Sequence, residues 1–417
     1  MKQSKIRVWI INQYASLPST GIGGRHRDLA RELAKLGYEV TVVSSRWSHL
    51  TRDPDAAATA AEEETFEGFR FVRLPAQRYQ HAHDKRRILN WFVFAWQVGQ
   101  LHKRLTEKPD VVVYSSPSLI GYLGAKRLAL RTGAKLVFEV RDIWPLTFQE
   151  VGGYSDRHPF IRFLQWVEDY AYRTADHATS NLQGAGEHML ARGLPADCFT
   201  WIANGFALDE VNDAEPLPAS VTKDIPAEGF RICYAGTIGS ANALESLVEA
   251  AKLLSEGRSN IYFVLVGQGR SKSALMARAK ELGLANIVFL DAVPKKQVQS
   301  VLDQCDACFI GWKDSSLYDH GIAANKLFDY LYAGKPILHA YSGRFDPVAR
   351  YGAGVTVPAE NPDAIAKAAI QLRNMTEADR RLMGKKGHQA AITKHEYAVL
   401  AQKYDKLFEQ LLKDRGQ

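Results

Sequence analysis

The chain has 417 residues, of which 46% are hydrophobic and 24% charged, with a formal net charge of +7. Such a chain is too long for one hydrophobic core, so two domains are expected. No apolar run reaches the roughly 20 residues of a membrane-spanning helix. The first residues also lack the apolar core and cleavage site of a secretory signal. We therefore expect a cytoplasmic protein.

Short apolar, β-branched runs alternate with amphipathic stretches, which is typical of parallel sheets covered by helices. The rhythm starts again near residue 230, so the predicted fold class is α/β, with two Rossmann-like, doubly wound domains facing across a cleft. In chain order, the predicted strands are residues 6–12, 39–44, 69–74, 110–114, 135–140, 199–203, 230–235, 262–266, 287–290, 307–311 and 336–340.

Turn residues, prolines and acids in residues 204–226 indicate a connection between the domains. The predicted division is residues 1–208, residues 209–395, and a helix over residues 396–417 that packs back toward the first domain. Residues 53–68 interrupt the rhythm with alanines and three consecutive glutamates. They are interpreted either as a mobile loop over a site or as a solvated insertion.

The four cysteines do not suggest a disulfide scaffold. Cys305 and Cys308 form a single C-x-x-C pair, but no second pair or nearby histidines complete a zinc site. Residues 306–309 have the composition of a buried strand, where a small apolar thiol fits. Redox and zinc chemistry are therefore disfavoured.

The basic surplus lies in the first half, where residues 1–208 contain 27 Lys and Arg against 21 Asp and Glu. Such a surplus fits nucleic acid, an anionic membrane or an acidic substrate. No nucleic-acid-binding motif is present, so no nucleic-acid partner is expected. The stretch from Lys85 to Arg104 places two Trp and two Phe between basic clusters. It predicts either an interfacial membrane helix or an aromatic face packed on the first sheet.

Glycine turns follow strands in both halves. Gly23 and Gly24 precede the first predicted helix, where backbone N–H groups can approach a phosphate. His26 replaces the last glycine of a dinucleotide-binding fingerprint, and no P-loop sequence occurs, so NAD enzymes and P-loop nucleotide hydrolases are disfavoured. In the second half, Gly236 and Gly239 follow one strand, and Gly267 and Gly269 follow the next. Ligands of open sheets bind at such strand ends.

The segment from Asp319 to Pro336 is the most specific. Within it, a glycine-bearing loop leads into a helix on which Lys326 and Asp329 share a face. A cation near a helix N-terminus suggests an anion beside it, so Lys326 is a candidate diphosphate ligand. Asp329 can accept hydrogen bonds from ribose hydroxyls. The alternative is a surface ion pair between these two side chains.

Taken together, these segments resemble glycosyltransferase family 4, a retaining family with the GT-B fold, over essentially the whole chain. The resemblance also rests on Arg141-Asp142-Ile143-Trp144-Pro145, on Asn204-Gly205 and on residues 325–336. It is closest to the bacterial O-antigen and capsule subgroup that includes L-fucosamine transferases. It implies a glycosyltransferase of surface polysaccharide synthesis that uses a nucleotide-linked N-acetylhexosamine or deoxyamino sugar.

The resemblance places Asp329 at the second acid of the family's Glu-x7-Glu motif, while Gly321 stands at the first. Thr237 occupies the position of a phosphate-binding Arg. Sugar hydroxyls are then expected to meet the backbone near Gly321, or Asp319 and His320. The nucleotide-sugar contacts predicted in this way are Gly23, Gly24, Gly236, Thr237, Gly239, Gly267, Gly321, Asn325, Lys326 and Asp329.

The implied reaction is metal-free, front-face transfer in which the leaving phosphate oxygen helps to take the acceptor's proton. No Asp-x-Asp metal site is recognised, and no cofactor is expected. The predicted catalytic residues are Asp142 and Lys326, although Asp142 equally fits an ion pair with Arg141 or a helix cap. Predicted acceptor or sugar contacts are Arg25, Arg141, Asp319 and His320.

The expected partners are a UDP-linked donor, a glycan or polyprenyl-linked acceptor, and an anionic membrane contacted from Lys85 to Arg104. Two alternatives remain open: a nucleotide-sugar epimerase of the same two-domain form, and a non-catalytic nucleotide-sugar-binding protein.

Overall fold

A computed structural model describes residues 5–21, 23–79, 84–150 and 152–413. The chain divides into two compact units. Unit 1 comprises Met1–Ala203 and Tyr397–Gln417, and unit 2 comprises Asn204–Glu396. The chain thus leaves unit 1 at Ala203, immediately before the predicted connecting segment, and its C-terminal helix groups with unit 1.

Unit 1 contains one sheet of eight strands in the order β3-β4-β2-β1-β5-β6-β7-β8. All neighbouring strands are parallel except β3 and β4, which are antiparallel. The strands are β1 (Arg7–Ile11), β2 (Glu39–Ser45), β3 (Glu63–Phe66), β4 (Phe69–Leu74), β5 (Val111–Ser115), β6 (Lys135–Val140), β7 (His177–Ser180) and β8 (Phe199–Trp201).

Unit 2 contains a six-stranded parallel sheet in the order β11-β10-β9-β12-β13-β14. One apolar core packs on each of its faces, as a doubly wound sheet requires. The strands are β9 (Phe230–Ala235), β10 (Ile261–Val266), β11 (Ile287–Leu290), β12 (Ala307–Gly311), β13 (Ile337–Ala340) and β14 (Gly354–Val357).

The helices alternate with these strands. They are α1 (Arg25–Lys35), α2 (Pro54–Thr59), α3 (Lys85–Gly99), α4 (Leu101–Arg104), α5 (Ile120–Thr132), α6 (Leu146–Glu150), α7 (Pro159–Thr174), α8 (Ala185–Ala191), α9 (Leu208–Asn212), α10 (Ala219–Thr222), α11 (Leu244–Glu256), α12 (Lys272–Glu281), α13 (Val298–Asp303), α14 (Asn325–Ala333), α15 (Pro347–Tyr351), α16 (Pro362–Asn374), α17 (Glu377–Ala390) and α18 (Tyr397–Lys413).

The two parallel-sheet units confirm the predicted α/β class, and each predicted strand overlaps an observed one. The mobile-loop interpretation of residues 53–68 is wrong. Asp53 caps α2 by accepting hydrogen bonds from the backbone N–H groups of Asp55 and Ala56. Glu63 and Glu64 then begin β3, where they pair with Arg70 and Arg73 on the neighbouring strand. Glu62, just before the strand, pairs with Arg104. The charges that suggested a loop are thus engaged in ion pairs, two of which cross between strands.

Candidate functional site

The two glycine turns of unit 2 pack against each other at the carboxyl ends of β9 and β10. The N–H of Gly236 donates to Val266 O at 2.9 Å, and that of Ile238 donates to Gln268 O at 2.9 Å. A Cβ on Gly267 would lie 1.9 Å from Gly236 O, and one on Gly269 would lie 2.1 Å from Ile238 O. Only glycine permits this approach, which leaves a stretch of backbone without side chains at the sheet edge.

Helix α14 is held at this edge by Tyr330. Its buried hydroxyl accepts a hydrogen bond from the Ala235 N–H at 2.7 Å and donates one to Ala235 O at 3.1 Å. The N-cap residue of α14 is Ala324, whose side chain cannot accept a hydrogen bond from the first N–H groups of the helix. The start of the helix therefore presents partial positive charge beside the turn that follows β9.

Lys326, in the first turn of α14, lies directly over that glycine turn. Its Nζ donates to Tyr234 Oη at 2.7 Å and to Asn242 Oδ1 at 2.6 Å, and it lies 4.4 Å from the centre of the Tyr234 ring. A Cβ on Gly236 would come within 3.1 Å of the Lys326 Cε. Both polar partners are neutral, and desolvation lowers the pKa of Lys326 to about 7. These partners do not neutralise the charge of the Lys326 ammonium, so an anion that binds beside it would interact strongly with it.

Thr237 and Gly239 belong to the same turn. The Thr237 carbonyl accepts hydrogen bonds from Tyr234 Oη at 2.5 Å and from Asn242 Nδ2 at 2.9 Å, while its side chain is exposed. Gly239 has open space around its Cα, since a Cβ added there would have its nearest neighbour at 3.8 Å. Tyr234 and Asn242 thus fix both the turn and Lys326.

Asp329 and Lys326 do not form the ion pair that was the alternative interpretation. Asp329 Oδ1 instead pairs with Lys295 Nζ at 2.5 Å. Burial raises the pKa of the Asp329 carboxyl above its ordinary value, and Lys295 opposes that rise. Because the two charges of this helix have separate partners, Lys326 keeps its position without a carboxylate beside it.

The loop before α14 is anchored by Asn204, the first residue of unit 2. Its Nδ2 donates to Ala323 O at 2.7 Å and to Asn325 Oδ1 at 3.2 Å. Asp319 is exposed and His320 half-buried on the short 3₁₀ turn Ser316–His320 that ends at Gly321. Asn325, Gly321, Asp319 and His320 therefore lie on one continuous loop leading to Lys326.

In unit 1, the glycine loop adopts left-handed backbone conformations, with φ of 70° at Gly23 and 88° at Gly24. These angles strain any residue with a Cβ. The Gly23 N–H donates to Ser16 Oγ at 3.2 Å, and the N-cap residue of α1 is Gly24, which has no side chain to bond the first N–H groups of the helix. The arrangement is a helix N-terminus open to an anion.

Arg25 points into unit 1 rather than toward a ligand surface. Its Nε and Nη2 donate to Glu139 Oε1 at 2.9 and 2.7 Å, and its Nη1 donates to Ala203 O at 2.6 Å. Burial alone would lower the pKa of Arg25, but Glu139 raises it above its ordinary value. Both side chains are buried. The Arg25 side chain is thus engaged inside unit 1, and its assignment as an acceptor or sugar contact stays a prediction.

Glu139 forms the centre of this buried network. Ser115 Oγ donates to its Oε2 at 2.5 Å, and Tyr404 Oη on α18 donates to its Oε1 at 2.6 Å. Burial alone would raise the pKa of Glu139, but Arg25 holds it well below its ordinary value. Burial lowers the pKa of the neighbouring His26 to about 3, so His26 is neutral.

Arg141 and Asp142 follow β6 directly after this network. The Arg141 N–H donates to Ser116 Oγ at 2.8 Å, and the Arg141 Nε is buried without a hydrogen-bond partner among the described residues. Asp142 keeps solvent access, yet loss of water around its carboxyl raises its pKa, which Arg141 partly opposes. Asp142 therefore stands at a strand end as a carboxyl group that takes up a proton more readily than usual.

The structure brings Gly236, Thr237, Gly267 and Lys326 together in unit 2, and it groups Gly23 with Gly24 in unit 1. The sequence interpretation gave no site role to four residues. Tyr234 and Asn242 hold Lys326, Asn204 anchors Asn325, and Lys295 pairs with Asp329. Tyr234, near the end of a predicted strand, and Asn242, after a glycine turn, indicated from the sequence only that a turn was present. The partner of each depends on long-range packing.

The expectation that the sequence has no Asp-x-Asp pair is wrong, because Asp53-Pro54-Asp55 has this spacing. In the structure, Asp53 serves as the cap of α2. Within the described ranges, no group of three or more His, Cys, Asp or Glu side chains is arranged to hold a metal ion. The three cysteines of unit 2 are buried and unbridged.

Two family models match the chain. The model described as Glycosyl transferase 4-like domain matches residues 20–205, and the model described as Glycosyl transferases group 1 matches residues 220–389. WcaI of Escherichia coli strain K12, named for glycosyl transfer in colanic acid biosynthesis, is 25% identical over 304 residues, which cover 70% of this chain and 73% of WcaI.

Solved structures are similar over nearly the whole chain. Sucrose-phosphate synthase from Thermosynechococcus elongatus has a TM-score of 0.74 at 16% identity and covers 98% of this chain and 100% of its own. HepE from Anabaena, solved with UDP-glucose, has a TM-score of 0.66 at 14% identity, with 97% and 100% covered. WaaG, a glycosyltransferase of lipopolysaccharide biosynthesis, has a TM-score of 0.64 at 15% identity, with 95% and 98% covered. These similarities show the GT-B fold.

Proposed function

Because the chain belongs to the glycosyltransferases that combine a glycosyl transferase 4-like domain with a group 1 domain, we propose a retaining, metal-independent transferase. It moves a sugar from a nucleotide diphosphate to a glycan or lipid-linked acceptor in surface polysaccharide synthesis. The similarity to WcaI, named for colanic acid biosynthesis, supports this class of pathway.

The position of Lys326 carries the proposal. Its ammonium lies over Gly236, where two glycine turns and the uncapped start of α14 converge. Backbone N–H groups, a helix N-terminus and a cation together match the charge of a diphosphate. Tyr234 and Asn242 are neutral, so they orient the Lys326 ammonium through hydrogen bonds and do not neutralise its charge. A site arranged in this way stabilises a leaving diphosphate as its charge develops.

The donor in this proposal is a UDP-linked N-acetylhexosamine or deoxyamino sugar. Asp329 would contact the ribose hydroxyls, with Lys295 holding its carboxylate, and the loop from Asp319 to Asn325 would contact the sugar. The neighbour HepE was solved with UDP-glucose, which supports the choice of uridine. Gly321, at the position of an acid in the related family, leaves backbone groups rather than a carboxylate for sugar recognition.

During transfer, the bond between the anomeric carbon and the diphosphate oxygen breaks, and the acceptor hydroxyl forms the new bond on the same face. The departing phosphate oxygen takes the acceptor's proton, so no side-chain base is required. Lys326 compensates the charge on the leaving group. Asp142, whose pKa is raised, is proposed to bind the acceptor hydroxyl or the reacting sugar through Oδ1 or Oδ2.

Thermal unfolding with a panel of UDP-, GDP- and dTDP-sugars tests the donor assignment, since a ligand that binds only the folded state raises the unfolding temperature. We expect UDP and a UDP-N-acetylhexosamine to stabilise the protein equally with EDTA and with magnesium. Stabilisation that disappears in EDTA and returns with magnesium or manganese would overturn the metal-free mechanism. Release of UDP should require an acceptor, whereas an epimerase or a binding protein would release none.

A further inference from the structure

Helix α3 has one buried and one exposed apolar face. Trp91, Phe94 and Val98 pack into unit 1, so part of the aromatic stretch is ordinary core. The other face is open to solvent, with Phe92 45% and Trp96 67% exposed. Ile88 and Leu89 extend this face by one turn toward the start of the helix. Four large apolar side chains at helical spacing are therefore exposed on this face of the helix.

Helix α7 continues the same surface. The Phe92 ring of α3 stacks on the Phe163 ring of α7, with 6.1 Å between the ring centres. Along α7, Phe163 stacks on Trp166 and Trp166 on Tyr170, with ring centres 6.1 and 5.8 Å apart. Trp166 is 52% exposed. We name Ile88, Leu89, Phe92, Trp96, Phe163 and Trp166 the aromatic face. Ring stacking between the two helices makes it one continuous surface rather than scattered exposed residues.

The exposed charges on the two helices of this surface are mostly positive. Helices α3 and α7 carry five Lys and Arg residues and two acids, Glu168 and Asp169, while a third acid, Asp84, caps the start of α3. Glu168 is buried and hydrogen-bonded to Tyr172, and Asp169 pairs with Arg192. The cations Lys85, Arg86 and Arg162 are exposed. The surface thus combines aromatic side chains with a field that attracts anions.

We propose that the aromatic face docks unit 1 onto an anionic lipid bilayer, with its rings at the boundary between headgroups and acyl chains. Tryptophan and phenylalanine favour this depth, and exposed Lys and Arg contact lipid phosphates. No described helix is long and apolar enough to span a membrane, so the contact is peripheral. The charge pattern disfavours a second copy of the chain as occupant, because a two-fold contact would bring like charges together.

This inference rests on the proposed function for its benefit to catalysis. Trp91 Nε1, on the buried side of α3, donates to Tyr14 Oη at 2.7 Å, and Tyr14 follows β1 at the carboxyl edge of the sheet. Helix α3 therefore runs from the docking surface to the edge where ligands of such sheets bind. Docking would hold that edge near the headgroup of a lipid-linked acceptor.

Co-sedimentation with phosphatidylglycerol-containing vesicles and with pure phosphatidylcholine vesicles tests the docking. The wild-type chain should bind the anionic vesicles, and added salt should weaken binding. The double variant Trp96→Ser/Trp166→Ser should lose at least about tenfold in vesicle partitioning, because each ring contributes apolar burial. Its matched control, Met276→Ser/Leu382→Ser, removes two exposed apolar side chains from unit 2 and should bind as wild type.

The basic component has its own pair of variants. Lys85→Ser/Arg86→Ser should weaken binding to anionic vesicles, whereas Lys280→Ser/Lys367→Ser removes the same charge from exposed positions of unit 2 and should not. Equal sedimentation of each variant and its control would overturn the inference. Self-association without lipid that Trp96→Ser/Trp166→Ser abolishes would also overturn it and identify a dimer face.

Thermal stabilisation by a UDP-sugar, measured on the same proteins, separates this inference from the proposed function. A UDP-sugar should stabilise the wild type and all four variants equally. Stabilisation without vesicle binding would refute docking alone. Vesicle binding without stabilisation by any nucleotide sugar would instead refute the proposed donor site.

Discussion

At the scale of single residues, the charge state of Lys326 is the most informative property of the candidate site. Its two hydrogen-bond partners are neutral, and desolvation brings its pKa to about 7. A diphosphate beside the ammonium would favour the charged form and raise this pKa. Binding of the donor and binding of a proton are therefore linked.

We predict that affinity for a UDP-sugar falls as pH rises. At about pH 6, Lys326 is charged in both free and bound protein, so affinity is constant there. Above about pH 7, the free protein loses the proton that the complex keeps, and affinity falls by up to about tenfold per pH unit until the complex also titrates. Titration calorimetry in two buffers of different ionisation enthalpy measures both the affinity and the proton uptake.

The control for this prediction is Lys326→Arg, because an arginine stays charged throughout the range. The diphosphate of a UDP-sugar does not titrate near neutral pH, so the ligand itself adds no slope. We expect the arginine variant to show flat affinity and no proton uptake. A slope of wild-type size in that variant would assign the titration to another group.

A second residue-scale prediction separates Lys326 from Asp329. Contact with the leaving diphosphate strengthens in the transition state, so Lys326→Ala should lower kcat on the order of 100-fold. The contact of Asp329 with the ribose is the same in the ground-state complex and in the transition state. Asp329→Ala should therefore mainly weaken nucleotide binding, by about tenfold. Steady-state kinetics and direct binding to both variants measure the difference.

The variant Lys296→Ala provides the control for both substitutions, because Lys296 is the sequence neighbour of Lys295, the partner of Asp329. Lys296 pairs with the exposed Asp213, and its loss should leave both kcat and binding unchanged. If Lys326→Ala and Asp329→Ala also behaved as wild type, this part of α14 would have no role in donor binding.

At the scale of elements, the turns after β9 and β10 depend on backbone contact. Gly267→Ala would force a methyl group to within 1.9 Å of Gly236 O. We predict that this variant destabilises unit 2 by about 1–3 kcal/mol and weakens binding of a UDP-sugar. Gly239→Ala is the matched change in open space, with its nearest neighbour at 3.8 Å. It should unfold at the wild-type temperature, and equal unfolding temperatures for both variants would contradict the close packing.

The sequence predicted the elements whose pattern is local. Apolar runs such as residues 230–235 and 262–266 indicated strands because buried parallel strands are continuously apolar. Strand β7 escaped prediction because His177, Thr179 and Ser180 are polar, although the whole strand is buried. Its hydroxyls are satisfied by distant partners, for example Ser180 Oγ by Val140 O at 2.7 Å. Strand β14, Gly354–Val357, was not predicted because a glycine and a threonine interrupt its apolar run and each of its residues is only half-buried.

The same distinction applies to the candidate site. Glycines at strand ends and Lys326 were predictable because their spacing along the chain indicates a turn or a helix start. The burial of Arg25 was not predictable, because its partner Glu139 lies on a different strand and Ala203 lies at the end of the unit. Pairings across the fold decide whether a charged residue faces a ligand or the interior.

At the scale of the whole molecule, α18 makes the fold of unit 1 discontinuous in sequence. The chain leaves unit 1 after Ala203 and returns at Tyr397. Helix α18 buries Leu400, Tyr404 and Phe408, and Tyr404 reaches the network around Glu139. Tyr38 Oη on unit 1 also donates to Asp405 at 2.6 Å. Unit 1 is therefore complete only when the last helix has been added.

This discontinuity predicts that a cavity in α18 destabilises unit 1 and spares the proposed donor site in unit 2. Phe408 is fully buried, so Phe408→Ala should cost about 3–5 kcal/mol and lower one unfolding transition on the order of 10 °C. Ile365→Ala makes a matched cavity in the core of unit 2 and should lower the other transition. Calorimetry with and without a UDP-sugar should show that the ligand raises the transition sensitive to Ile365→Ala in both variants. If the ligand raised only the transition sensitive to Phe408→Ala, the donor would bind unit 1, and the role proposed for Lys326 would be wrong.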